Sequence, residues 1–217
     1  MDKAELQLRI GPQGTLVDGF LGPGRAVRVR TEIGRRFADH ELHLRDLNFA
    51  LGCLDALASE ADPVRRQALW ESAIVHFVKC FSRDIRFVLV AEEIWSDDPE
   101  GLKGFRFFRD LRNKHVIHDE NSYADCATCV VLPDRRDLPR ASVVFSFFAK
   151  FEVLDSEHMT RLRALIERTR SWADARKDTL VEELMEELEG QSDEALERLE
   201  PFVVPKLGGE VHARRVR

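Results

Sequence analysis

The sequence predicts a mainly α-helical protein, an up-and-down bundle with a β-hairpin insertion. Three observations carry that prediction. Leu44, Leu47, Leu51, Leu54 and Leu57 recur at steps of three and four, which builds one apolar helical stripe. Asp62-Pro63 and Asp98-Pro99 each place an N-capping carboxylate and a first-turn proline before another apolar run. Between about 126 and 154 the composition changes to Val and Phe, as strands prefer, before a helical period returns.

Taken in order, residues 1–30 contain Gly11, Gly14, Gly19, Gly22 and Gly24 with Pro12 and Pro23, which no helix tolerates. The short alternations Leu6, Leu8, Ile10 and Val27, Val29 permit one or two weak strands in a partly ordered N-terminal arm. The helical domain is expected over 31–190. Its first helix starts after Thr31 and stops near Glu60. The second follows Asp62-Pro63 and carries Trp70, Ile74, Phe77, Val78, Phe81 and Ile85, running to about Ile94. The third follows Asp98-Pro99 with Leu102, Phe105, Phe108 and Leu111 on one side, and is expected to end at His115–His118. Short connections between such helices describe a bundle. Cys126–Leu132 and Ser142–Leu154, separated by Pro133–Pro139, read as a β-hairpin with a charged loop. Asp155 or Ser156 caps a fourth helix whose inner face holds Leu162, Leu165, Ile166, Thr169, Trp172 and Ala173. Leu180, Val181, Leu184, Met185 and Leu188 are expected to continue that face until Gly190 ends the helix. A short helix and a basic tail complete 191–217.

Composition narrows the function. Of 217 residues, 33 are Lys or Arg and 39 are Asp or Glu, a net charge of −6, which excludes a histone-like coat for nucleic acid. No apolar run approaches the roughly 18 residues of a membrane span, and residues 1–5, Met-Asp-Lys-Ala-Glu, are unlike a signal peptide. Four cysteines in a chain of this length are not a disulfide framework, so reduced thiols and a cytoplasmic location are expected. The acidity is local. Nine acids and one base between Thr179 and Glu200 give that segment −8 and leave +2 for everything else.

The informative stretch runs from Phe105 to Asn121. Arg106, Arg109 and Arg112 step by three along one helix face, and His115 and His118 extend the line. Arg112 and His118 are about 120° apart at 100° per residue, close enough to converge if the helix tightens at its end. A permanent cation beside a group that titrates near neutrality is what phosphodiester cleavage needs. The same residues also suit a plainer role, a solvated basic face ending in C-capping histidines.

Arg112-Asn113-x4-His118 follows an aromatic-rich helix pair and precedes the acidic turn Asp119-Glu120. It resembles the signature of the HEPN superfamily, in which four to six residues lie between an arginine and a histidine, often with a polar residue directly after the arginine. Leu-Arg-Asn-Lys-His-Val-Ile-His-Asp is similar above all to HEPN proteins of the abortive-infection type. The likeness covers about residues 35–190 as architecture and about 15 residues as motif. It implies a helical homodimer with two Arg/His pairs across a shared cleft. It also implies a metal-independent endoribonuclease of toxin–antitoxin or antiphage systems, with no cofactor. In that likeness Arg112 stabilises the scissile phosphate of RNA, His118 is the general acid or base, and Asn113 orients them. Arg106, Arg109, Lys114 and His115 are additional candidates for RNA-backbone contact, and an antitoxin or another defence protein is a candidate partner. The hairpin departs from the minimal helical core of that family, and many of its members are catalytically silent scaffolds. The alternative reading is therefore a silent dimer acting as a binding or scaffold module.

Other patterns carry less. Cys126 and Cys129 have CxxC spacing, but an odd separation in a strand puts them on opposite faces, so packing is expected rather than zinc. Cys53 and Cys80 fall within helical stripes. Phe77, Phe81, Phe105, Phe107 and Phe108 read as core rather than as a base-stacking platform. Phe107 lies off the main stripe and is expected at an interface.

Overall fold

The computed structural model describes residues 7–11, 14–19, 22–82, 86–113, 124–131, 143–150 and 155–203. It is mainly helical, as expected. Backbone contacts divide the chain into two compact units. The first gathers both ends of the chain with the start of the first helix and the end of the long last one. The second holds the middle of the chain.

In the first unit, β1 (Gln7–Gly11), β2 (Gly14–Gly19) and β3 (Gly22–Arg25) form an antiparallel meander. The register runs from Gln7↔Asp18 to Gly11↔Gly14 and from Leu16↔Arg25 to Gly19↔Gly22. The expectation of one or two strands is thus exceeded by a Gly-Pro-Gly-Arg strand that sequence composition disfavours. β3 leads into a lacing of the chain ends. Arg28 donates its amide to the Glu200 carbonyl at 2.8 Å, Phe202 donates to Ala26 at 2.9 Å, and Val27 bridges Pro201. The Arg30 guanidinium adds an ion pair with Glu200 at 2.7 Å.

Helix α1 (Glu32–Ser59) begins where the Thr31 hydroxyl accepts the Gly34 amide at 3.2 Å. Its first turns belong to the first unit, where His40 is buried. His40 Nδ1 lies 2.9 Å from the Arg36 carbonyl and the ring stacks on Phe87 at 5.8 Å. Burial pushes this imidazole below the usual histidine value, and the Arg36 carbonyl opposes the shift only in part.

The second unit contains the main core. α1 contributes Leu44, Leu47, Leu51, Leu54 and Leu57, all buried as the leucine period predicts. The Arg66 guanidinium covers the end of α1 through the Leu57 and Glu60 carbonyls at 3.2 and 2.9 Å. α2 (Pro63–Lys79) starts with Asp62 accepting the Arg65 amide at 2.8 Å. It stops well short of the expected Ile94. The Cys80 amide tightens onto the Phe77 and Val78 carbonyls, and Leu89 then donates back to the Cys80 carbonyl at 3.1 Å. The β-branched, aromatic run before Ala91 favours this extended return over another helical turn. Ile85, expected on the stripe, lies outside the described residues. Leu89 and the short helix α3 (Ala91–Ile94) bring Ile94 and Trp95 into the core instead.

α4 (Pro99–Leu111) opens with Asp98 accepting the Gly101 amide at 2.8 Å. A Cβ on Gly101 would meet Trp95 Cδ1 at 2.6 Å, so the tight entry requires glycine. Phe105, Phe108 and Leu111 are buried. β4 (Ala124–Val131) and β5 (Val143–Lys150) pair antiparallel from Ala124↔Lys150 to Val131↔Val143. The charged connection expected between them lies outside the described residues. α5 (Ser156–Glu189) is capped by Asp155, which accepts the His158 amide at 2.7 Å. It buries Leu162, Leu165, Ile166, Thr169 and Ala173. Beyond them the expected face persists in part, with Leu184 and Leu188 half-buried. Leu180 is buried, but Val181 is 41% and Met185 53% exposed, because one further residue turns the helix by about 100°. α6 (Asp193–Glu197) is capped by Ser192.

Two outcomes follow. Asp98→Ala removes the α4 cap and one partner of Arg168, and is expected to lower unfolding free energy by about 1–2 kcal/mol in urea. His40 is held neutral in the folded state, so stability is fully present above the ordinary histidine value of about 6.5 and declines as pH falls below it. His40→Gln is expected to flatten that acid slope in denaturant titrations across pH 5–7, on the order of the histidine range.

Candidate functional site

The site predicted from the sequence lies at the end of α4, and the aromatic core positions that helix. Phe105 meets Trp95 at 5.2 Å, Phe81 at 4.4 Å and Phe77 at 6.1 Å, while Phe108 meets Trp70 edge-on at 6.0 Å. With one face of α4 committed to these rings, its polar residues are displayed on the other. Phe107, expected at an interface, finds cover within its own unit. It packs on Phe108 at 5.1 Å and on the His158 ring at 5.2 Å.

After Leu111 the helical backbone continues through Arg112, whose amide meets the Phe108 and Arg109 carbonyls, to Asn113. Arg112 Nη1 donates to Asn113 Oδ1 at 2.9 Å, which fixes the guanidinium from one edge. Arg112 Nε is buried and has no partner among the described residues. A half-buried guanidinium with uncommitted donors suits an anion, since a buried N–H without an acceptor is costly.

The other predicted residues divide. Arg106 is exposed and lies 3.8 Å from Glu92, and Arg109 lies 3.3 Å from Asp110 while covering the Phe105 ring at 6.0 Å. The basic line on α4 is therefore partly neutralised by its neighbours. Lys114, His115 and His118 lie outside the described residues, as does the predicted helix end they form. Among the described residues no group of His, Cys, Asp and Glu has the arrangement of a metal site. Cys53 and Cys80 are buried, as their stripes imply, and Cys129 is half-buried opposite Phe145. No helix among the described residues is long and apolar enough to cross a membrane.

Sequence reasoning missed a second polar cluster. Asp46 on α1 is buried, and it accepts from His76 Nδ1 at 2.9 Å and from Lys79 Nζ at 3.1 Å. Phe49 lies tilted against the His76 ring at 4.4 Å. The thiol of Cys80 donates to the His76 carbonyl at 3.5 Å. Asp46 and His76 are 30 residues apart, and only the packing of α1 on α2 joins them. The one local signal was an Asp within an otherwise leucine-rich face.

Comparison with known proteins leaves the geometry to speak for itself, because no protein-family model, curated protein or solved structure matches the chain.

Asn113→Ala is expected to free the Arg112 guanidinium and lower stability by about 1 kcal/mol in chemical denaturation. Arg106→Ala breaks an exposed pair, and Arg109→Ala an exposed pair and the guanidinium contact over the Phe105 ring; each is expected to change stability by about 1 kcal/mol or less.

Proposed function

We propose that the chain is a HEPN-type, metal-independent endoribonuclease of bacterial defence or toxin systems, acting as a homodimer with Arg112, Asn113 and His118 at its centre. The observation that carries this reading is the Arg112 guanidinium. It is held by Asn113, half-buried, left with donors unmatched among the described residues, and placed six residues before His118. In the proposed reaction the RNA 2′-hydroxyl attacks the adjacent phosphorus while His118 moves the proton. The Arg112 donors unmatched among the described residues take the charge that grows on the phosphoryl oxygens. The bond to the 5′-oxygen breaks, leaving a 2′,3′-cyclic phosphate and a free 5′-hydroxyl. Such chemistry asks the protein for a cation and a titrating group, and for no metal.

One observation favours the second reading, a catalytically silent dimer that serves as a binding or scaffold module. Arg106 and Arg109 stand beside Glu92 and Asp110 rather than free for a polyanion. Under this reading Arg112 and Asn113 tie the helix end to a partner chain.

Purified protein incubated with structured RNA in EDTA separates the two. The nuclease reading expects fragments with 2′,3′-cyclic phosphate ends. It also expects a rate lower by about a hundredfold or more in both Arg112→Ala and His118→Ala, each still folded by circular dichroism. Intact RNA with wild-type protein, together with unfolded variants, supports the scaffold. Light scattering at micromolar concentration is expected to give a dimer under either reading, and a monomer argues against both.

A further inference from the structure

The Asp46–His76–Lys79 cluster holds more chemistry than a latch between two helices needs. A carboxylate only accepts, so the proton in the 2.9 Å contact belongs to His76 Nδ1. In the neutral ring Nε2 then carries the lone pair, and it has no hydrogen-bond partner among the described residues. The His76 side chain is 31% exposed, so that nitrogen can meet a small molecule. Lys79 Nζ reaches both Asp46 oxygens at 3.1 Å, which leaves one of its three N–H groups without a partner among the described residues, on a side chain 42% exposed. Phe49 flanks the ring and helps hold its plane.

We propose that His76 is a phosphoryl-accepting nucleophile, taking a phosphoryl group on Nε2 from a small donor with a good leaving group, an acyl phosphate or a phosphoramidate. The Nε2 lone pair forms the N–P bond as the bond from phosphorus to the leaving group breaks, and that electron pair departs with the leaving group. No proton has to move. Nδ1–H stays on the ring, and Asp46 balances the positive charge that the ring acquires. The remaining Lys79 N–H donates to a phosphoryl oxygen. Asp46 is a positioning residue, since it acts through the tautomer and orientation of His76.

The chain contains its own comparison. His158 Nδ1 also meets a carboxylate, Asp155 Oδ2, at 2.8 Å. Asp155, however, is an exposed capping residue 54% open to solvent, whereas Asp46 is only 10% exposed and is shared with a lysine. Charge compensation is stronger around the buried carboxylate, because less water screens it. The proposal involves no RNA and no residue of α4, so its failure leaves the Arg112 reading untouched.

The test incubates the full chain with phosphoramidate, follows it by phosphorus NMR, and maps the acid-labile phosphate by mass spectrometry at neutral pH. One phosphoryl group on His76 Nε2 is expected, absent in His76→Gln. Asp46→Asn is expected to slow labelling on the order of tenfold and to change the ring nitrogen shifts that report the His76 tautomer, which a purely structural role of Asp46 does not predict. Lys79→Gln is expected to slow labelling with the tautomer unchanged. If His76→Gln does not fold, the site mapped on the wild type still decides. Labelling spread over His158 and His76 alike, or a folded protein with His76 unlabelled, overturns the proposal.

Discussion

The packing of Phe105 against Trp95 and Phe81 is the constraint on which the rest of the second unit depends. It joins Phe81 just beyond α2, Trp95 at the end of α3 and Phe105 in the middle of α4 in one aromatic seam. Aromatic pairs in such edge and offset arrangements contribute beyond the area they bury. Arg168 of α5 reinforces the seam from outside by bonding the Ile94 carbonyl at 3.1 Å and pairing with Asp97 and Asp98. The seam sets the rotation of α4 about its axis. That rotation in turn decides which side chains α4 commits to the core and where Arg112 emerges.

Charge in this protein is organised by address rather than by total. Within the acid-rich segment 179–200, Glu183 pairs with Arg176 at 2.9 Å and Glu200 with Arg30 at 2.7 Å. The basic residues of α4 are likewise matched by Glu92 and Asp110. Such exposed pairs add little stability, but they remove free charge from the surface around them. Among the described residues Arg112 differs, because its Nε is buried without a partner and its carboxamide partner carries no charge. A focused anion site is therefore compatible with a net charge of −6.

Buried polar groups on α1 show a second way of handling charge. Asp46 sits inside a leucine-lined helix face and is tolerable there because His76 and Lys79 meet both its oxygens. His40 solves the same problem by staying neutral on the Arg36 carbonyl and Phe87. One helix thus carries a buried carboxylate that needs cations and a buried imidazole that takes up a proton less readily than a free one.

What the sequence determined by itself was local. The caps at Thr31, Asp62, Asp98 and Asp155 and the leucine stripe of α1 act over three or four residues, and each is visible in the order of residues. The Arg112–Asn113 contact is equally local. Tertiary structure decided whatever depended on residues distant in the chain. α2 ends at Lys79 although its apolar period continues, because the β-branched run after it favours extended chain and Leu89 bonds back to Cys80. Phe107 is covered because His158, 51 residues on, packs against it. Val181 and Met185 stay exposed although they are as apolar as the buried Leu180 beside them, since burial depends on what faces the helix. Asp46 meets His76 for the same reason. Periodicity says which residues share a face, and only packing supplies that face with a partner.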